Sequence, residues 1–394
     1  MSFSKNNALP TDNVQPGQWL GMLGGGQLGR MFCQAAQSMG YRVAVLDPDP
    51  DSPAGTIANE HIHCDYQDTV GLQRLARQCA AVSTEFENIP SESLLHLAKH
   101  CVVRPSANAV AITQNRLVEK SFFQKAGVPV APHTRINSLH DAQQAPETLF
   151  PGILKSARFG YDGKGQVRVS SRQELIDAFN QLGEVECILE ALIPLEYEIS
   201  VVLGRDHTGD VKCYPAVLNE HRDGILAVSV SGSFEPGSAI QQQAQDMASA
   251  IAAELDYVGV LCVEFFVTAN GTLMANEMAP RPHNSGHYTI DASICSQFEQ
   301  QVRILAGMPL GSTDDTQRSV MINVLGDVWF KNSTIAKEPE WHKVLNVPGA
   351  HLHLYGKTSV KKGRKMGHIT ITADTAKQAM DNARTVGSII GISL

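Results

Sequence analysis

"VEFFVTANGTLMANEMAPR", residues 263–281, sets a glutamate on either side of an Asn-Gly pair, and its reading decides the fold. Asn270-Gly271 between alternating apolar runs is the strongest short-range signal for a two-residue hairpin turn. If those two residues form the turn, pairing partners sum to 541 and Glu264 lies directly opposite Glu277. Directly opposed residues share a face, with Cβ atoms about 5 Å apart. Two carboxylates there repel by roughly 3 kcal/mol at an effective dielectric near ~20. Something must compensate, and a hard, oxygen-ligated divalent ion such as magnesium suits the pair with Asn276 alongside. Two solvated glutamates on an edge hairpin are the alternative, but the flanking "VGVLCV" and "TLM" read as buried.

Directly after this hairpin, "RPHNSGH" (281–287) is more polar than a structural turn needs. His283 and His287 have the spacing of a helical zinc pair, but Pro282 and Gly286 argue against a helix, so anion recognition through Arg281 is favoured over zinc. Upstream, "ILKSARFGYDGKGQVRV" (153–169) carries Lys155 on a strand, then Gly160, Gly163 and Gly165, then a second strand. Such a glycine hairpin can close over phosphates with backbone N–H groups while Lys155 and Lys164 act as point charges. It is no Walker loop, because no G-K-[ST] opens a helix. "CILEALIPLEYEIS" (187–200) offers Glu190 at a strand end and Glu198 eight residues on, which alone reads as a solvated loop. The basic turn in "YGKTSVKKGRKMGH" (355–368) suits solvent or a phosphate or carboxylate equally.

At the other end, "LGGGQLGR" (23–30) has the spacing G-x-G-x-x-G at Gly24, Gly26 and Gly29 between an apolar strand and a helix, with Asp47 ending the next strand. That is the form of a dinucleotide-binding turn, although its physics is only a helix N-terminus that attracts an anion. "AVSTEFENIP" (81–90) puts Glu85 and Glu87 just past a strand, where ligands sit in such sheets.

The chain has 394 residues and a net charge of −8, which favours small substrates over nucleic acid. Its eight cysteines form no C-x-x-C pair, so neither zinc nor a disulfide framework is expected. No apolar run reaches the roughly 18 residues of a membrane span, and no signal peptide is evident, so a cytoplasmic protein is expected. The organisation reads as a flexible extension (1–18), a doubly wound α/β domain (19–115), a mixed domain (116–310) and a small α+β unit (311–394).

Taken together and in this order, these segments resemble the ATP-grasp superfamily, and within it the ligases that carboxylate aminoimidazole ribonucleotide for purine synthesis. The resemblance runs from about Trp19 to the end, through "GGGQLGRM", "GYDGKGQ", "NEMAPRPHNSGH" and "GRKMGH". It implies a pre-ATP-grasp domain, an ATP-grasp region and a small C-terminal domain. The implied cofactors are ATP and magnesium, with manganese as a substitute, and no NAD, biotin or zinc. Bicarbonate and the ribonucleotide are the implied co-substrates, and the implied assembly is a homodimer.

For the ATP site the resemblance implies Arg116 and Lys155 at the phosphates under a flap of Gly160, Tyr161, Asp162, Gly163, Lys164, Gly165 and Gln166. It also implies Glu190, Ala191, Leu192 and Ile193 beside adenine, Glu198 on the ribose, and Glu264 and Glu277 on magnesium with Asn276 nearby. Lys155, Tyr161, Arg281, His283, Asn284 and Lys365 would surround bicarbonate and the carboxyphosphate made from it. Gly26, Gln27, Leu28, Glu85 or Glu87, His287, Lys357 and Arg364 would hold the ribonucleotide, leaving Asp47 an ordinary turn residue. A nicotinamide oxidoreductase, resting on Gly24, Gly26, Gly29 and Asp47 alone, leaves the glutamate pair and the flap without a role. A non-catalytic nucleotide-binding regulator and a ligase for a different acid or amine are the other rivals.

Overall fold

The computed structural model describes residues 13–158, 160, 165–233, 238–331 and 335–394. The first sheet is parallel, with β1 (Trp19–Leu23), β2 (Arg42–Asp47), β3 (Glu60–His63), β4 (Ala81–Thr84) and β5 (Val102–Val103) in the order β3-β2-β1-β4-β5. β1, β2 and β4 are buried along almost their whole length because helices cover both faces. The chain order reverses between β1 and β4, so the glycine turn after β1 and the acids after β4 open on one crevice.

A second sheet holds β6 (His133–Ile136), β7 (Gly152–Ser156), β8 (Gln166–Val169) and β9 (Cys187–Ala191) in the order β6-β9-β7-β8. Its apolar face packs Leu154, Val169 and Leu189 against Leu175 and Phe179 of the helix Arg172–Gln181.

The third sheet runs through β10 (Leu195–Arg205), β11 (Val211–Cys213), β12 (Val217–Arg222), β13 (Ile225–Val230), β14 (Gly259–Thr268), β15 (Leu273–Ala279), β16 (Arg318–Leu325), β17 (Ala350–Leu354) and β18 (Lys365–Ala373). Its order is β15-β14-β10-β12-β13-β16-β18-β17, with β11 on β10. The helix Ala239–Glu254 seats Ala244, Ala248 and Ile251 on Ile199, Val201 and Val263, small residues allowing close approach. β16 pairs with β13 at Val228↔Ile322, so the strands of the expected third unit continue this sheet instead of forming their own. Pairing there removes an exposed edge from β13.

Residues 1–12 of the expected extension lie outside the described residues. From Asn13 onward the chain differs from the expected flexible segment. Val14 is buried, its N–H donates to Ala306 O at 2.9 Å, and its carbonyl accepts from Tyr41 Oη at 2.9 Å. Its apolar side chain and two hydrogen bonds dock it between the first domain and the end of the helix Gln297–Leu305. Among the described residues no helix is long and apolar enough to cross a membrane, and all eight cysteines are free thiols.

Candidate active site

Glu264 on β14 pairs with Glu277 on β15, as the hairpin reading expects, but the turn differs. Gly271 N–H donates to Thr268 O at 2.8 Å and Thr268 N–H to Thr272 O at 3.1 Å, so the loop is Ala269-Asn270-Gly271. Gly271 takes φ +79°, a left-handed position that suits glycine. The register near the turn is therefore offset by one, with Phe265 opposite Ala275. A bulge between Glu264 and Phe265 absorbs one extra residue on β15 and restores the pair.

The repulsion between the pair is met by protein cations. Buried Glu264 has His283 Nε2 at 3.0 Å from Oε1 and His221 Nε2 at 3.7 Å from Oε2. Glu277 is more open and pairs with Arg116 Nη1 at 3.1 Å. Burial works to raise the Glu264 carboxyl, yet His283 and His221 pull it down to about 2. Burial likewise opposes charge on His221, but Glu198 and Glu264 raise it above the usual imidazole range. Imidazoles and a guanidinium thus offset part of the repulsion that the expected divalent ion would otherwise meet alone.

His221 Nδ1 also lies 2.9 Å from Glu198 Oε2, and Glu198, His221 and Glu264 can bring one ligand atom each within 4.8 Å of one another. Glu277 is not in that group. Sequence reasoning missed His221, a single histidine on a strand without a motif. Its signal is register, since β12 pairs Asn219 with Glu198 and His221 follows two residues along on the same face.

On the phosphate side, Lys155 Nζ donates to Glu190 Oε2 at 2.7 Å, and Lys120 Nζ lies 3.3 Å from Glu190 Oε1. The two ammonium groups hold the Glu190 carboxyl down to about 2 against burial. The Glu190 side chain is therefore spent on lysines, while Leu192 beyond it is part-exposed. The Ala191 and Leu192 N–H groups go to Pro132 O at 2.9 Å and Pro151 O at 2.8 Å. At the flap base Gln166 pairs with Lys155 across β7 and β8, Gly165 has φ +71°, and Arg116 Nη2 reaches Gly160 O at 3.5 Å. Tyr161, Asp162, Gly163 and Lys164 lie outside the described residues.

The 281–287 loop joins the two sides. Arg281 Nε donates to Glu87 Oε2 at 2.6 Å; burial would raise that carboxyl, but Arg281 holds it near 2. Burial opposes charge on His283, and Cys262 together with Glu264 outweighs it, keeping the imidazole well above its usual range. Asn284 is 5% exposed, and neither its Oδ1 nor its Nδ2 has a hydrogen-bond partner. His287 turns elsewhere, its Nδ1 3.0 Å from Gln297 Nε2 and its ring 4.7 Å from that of His368. Fully buried, it stays neutral through burial and the nearby cations, and its Nε2 has no partner. The two loop histidines thus serve different neighbours.

The glycine turn is filled by the chain itself. The Gly26 and Leu28 N–H groups donate to Glu85, the latter at 3.1 Å, and Gly25 N–H donates to Asp47 Oδ2 at 2.6 Å. In this structure the two amides expected to meet substrate, at Gly26 and Leu28, are taken by Glu85. Asp47 is no ordinary turn residue, since it also accepts from Tyr66 Oη at 2.6 Å. Glu85, raised by burial and by Asp47, faces the turn, whereas Glu87 faces the loop at Arg281. Gln27 stays available to the crevice, its Oε1 accepting from Lys357 Nζ at 3.0 Å. Lys357 also donates to Lys365 O at 2.6 Å, which fixes the start of β18, and Arg364 turns to Ser359 O at 2.7 Å.

Three family models match in this order: a ribonucleotide synthetase preATP-grasp domain over 18–114, an ATP-grasp domain over 121–298, and a phosphoribosylaminoimidazole carboxylase C-terminal domain over 319–382. The chain is 42% identical over 359 residues to N5-carboxyaminoimidazole ribonucleotide synthase of Bacillus subtilis, covering 91% of this chain and 92% of that protein. It superposes on an ADP complex of N5-carboxyaminoimidazole ribonucleotide synthetase with a TM-score of 0.89 at 40% identity, covering 95% of this chain and 98% of that one. A synthase from Aspergillus clavatus in complex with ADP and 5-aminoimidazole ribonucleotide is similar at a TM-score of 0.85 and 31% identity, covering 95% and 98%.

Proposed function

This chain belongs to the family of N5-carboxyaminoimidazole ribonucleotide synthases in the ATP-grasp superfamily, and on that premise we propose that it carboxylates 5-aminoimidazole ribonucleotide with bicarbonate in purine synthesis. A bicarbonate oxygen attacks the γ-phosphorus of ATP, ADP leaves, and carboxyphosphate forms. The amine nitrogen then attacks the carboxyl carbon directly or takes up carbon dioxide released from it; phosphate leaves and the amine proton is lost.

A hard divalent cation fits the residues. Glu264 and Glu277 are paired, and the neighbouring Asn276 Oδ1 is a buried oxygen without a hydrogen-bond partner. Magnesium or manganese bound there would polarise the γ-phosphate and offset its charge. Lys155, steadied by Glu190, and Arg116 neutralise phosphate oxygens, and Glu198 with His221 holds the ribose end. The flap excludes water from an intermediate that hydrolyses readily. Arg281, His283, Asn284 and Lys365 hold bicarbonate, while Gln27, Lys357 and Arg364 hold the ribonucleotide, with His287 buried behind them against Gln297. Family resemblance alone supports a cytoplasmic homodimer.

The observation that carries this reading is Asn284. A buried amide with both donor and acceptor open costs about 1–3 kcal/mol per orphaned group unless a ligand completes it. It directly follows His283, which is bound to Glu264, and lies three residues past Arg281, which is bound to Glu87, so a small oxyanion at its amide would meet the loop that joins both halves of the site. ADP release measured with bicarbonate and ribonucleotide omitted in turn tests the reading. Dependence on both is expected; turnover indifferent to both refutes it.

A further inference from the structure

Three consecutive residues of β15 are each held by a different side chain of one helix. Asn276 O accepts from Lys120 Nζ at 2.8 Å, the Glu277 carboxylate from Arg116 Nη1 at 3.1 Å, and Met278 N–H donates to Glu119 Oε1 at 2.8 Å. All three partners lie in the first two turns of the helix Arg116–Lys125. Their contacts fall at the bulge, where an extra residue leaves backbone groups without a ladder partner. Lys120 answers this by donating to Asn276 O and reaching Ala275 O at 3.5 Å. Without the bulge the register of Phe265↔Ala275 would continue, and Glu264 would face Asn276.

The same ammonium lies 3.3 Å from Glu190 Oε1, whose other oxygen holds Lys155 at 2.7 Å. One nitrogen therefore ties the bulged hairpin to the lysine of the phosphate site. Its side chain is 1% exposed, a desolvation that an apolar residue of similar length would avoid.

We infer that Lys120 and Glu119 are positioning residues: they lock the Asn276 bulge that sets Glu277 opposite Glu264, and through Glu190 Lys120 fixes the place of Lys155. The inference rests on the reading of Glu264 and Glu277 as cation carboxylates. Neither residue touches the reacting atoms; both act through the backbone of β15.

The test is manganese binding in the presence of ADP, followed by electron paramagnetic resonance, alongside steady-state kinetics on Lys120→Met, Lys120→Arg, Glu119→Leu and Glu277→Gln in the full chain. Lys120→Met and Glu119→Leu are expected to weaken manganese binding about tenfold or more, as lost outer-sphere partners do. kcat falls with it, while KM for the ribonucleotide stays within about twofold. Lys120→Arg restores part of both losses, and it stands in for Lys120→Met should that protein not fold. Wild-type manganese affinity and kcat in Lys120→Met and Glu119→Leu, with only a lowered melting temperature, overturn the inference. Undiminished manganese binding in Glu277→Gln instead overturns the cation reading beneath it, whatever the Lys120 variants do.

Discussion

Glu85 accepts the backbone N–H of Leu28 at 3.1 Å, and with it the protein's own carboxylate takes the place an anion would occupy at the helix N-terminus. Gly26 has φ −76°, ordinary for any residue, so its need for glycine is steric: an added Cβ would collide with the Glu85 carboxylate. Gly26→Ala should expel Glu85, cost about 1–3 kcal/mol of stability and raise KM for the ribonucleotide about tenfold, leaving KM for ATP unchanged. Steady-state kinetics check this. A fluorescence titration of the wild type with NADH should show no binding, because Glu85 and Asp47 already hold the amides.

Glu277→Gln keeps the shape of the hairpin and removes one carboxylate charge. ADP formation should fall about a hundredfold or more, with little change in melting temperature. Near-normal turnover would remove Glu277 from the metal site.

Lys357 joins the basic turn to Gln27 on the first domain across a 3.0 Å hydrogen bond. Lys357→Met should raise KM for the ribonucleotide about tenfold or more while ATP binding, measured by calorimetry, survives. For Lys365→Ala and Arg364→Ala, weakened use of ribonucleotide or bicarbonate is expected with the same preserved ATP binding.

Asp315, hydrogen-bonded from Ser293 Oγ at 2.8 Å and away from the site, is raised by burial from 3.8 to about 6. The folded state thus holds its proton more tightly than the unfolded chain. Its contribution to stability is full below about pH 4 and is lost as pH rises through about 6, an effect of roughly 1–2 kcal/mol after allowing for partial exposure. Asp315→Asn should flatten stability over that window relative to wild type, read as the difference in urea midpoints.

The sequence made the Glu264–Glu277 pair legible because alternation has a fixed period, even though the loop holds three residues and not two. Two offsets, a three-residue loop and a bulge, cancelled. Lys120, Glu119 and His221 were not legible, since their partners depend on which helix turn or strand lies beside β15 and β10. Glu85 was visible as a strand-end acid, but its target was not: only the approach of two parallel strands brings it to Gly26, 59 residues away in the chain. That the strands of the third unit continue the large sheet was not legible, because an apolar alternating strand does not reveal which sheet it joins.

The most direct test of carboxylation through carboxyphosphate is the fate of oxygen in bicarbonate labelled with a heavy isotope. With ATP and ribonucleotide present, the account predicts that the released phosphate carries one labelled oxygen from bicarbonate, in step with ADP. Unlabelled phosphate released at the same rate as ADP would mean that water, not bicarbonate, attacks ATP, and would contradict it.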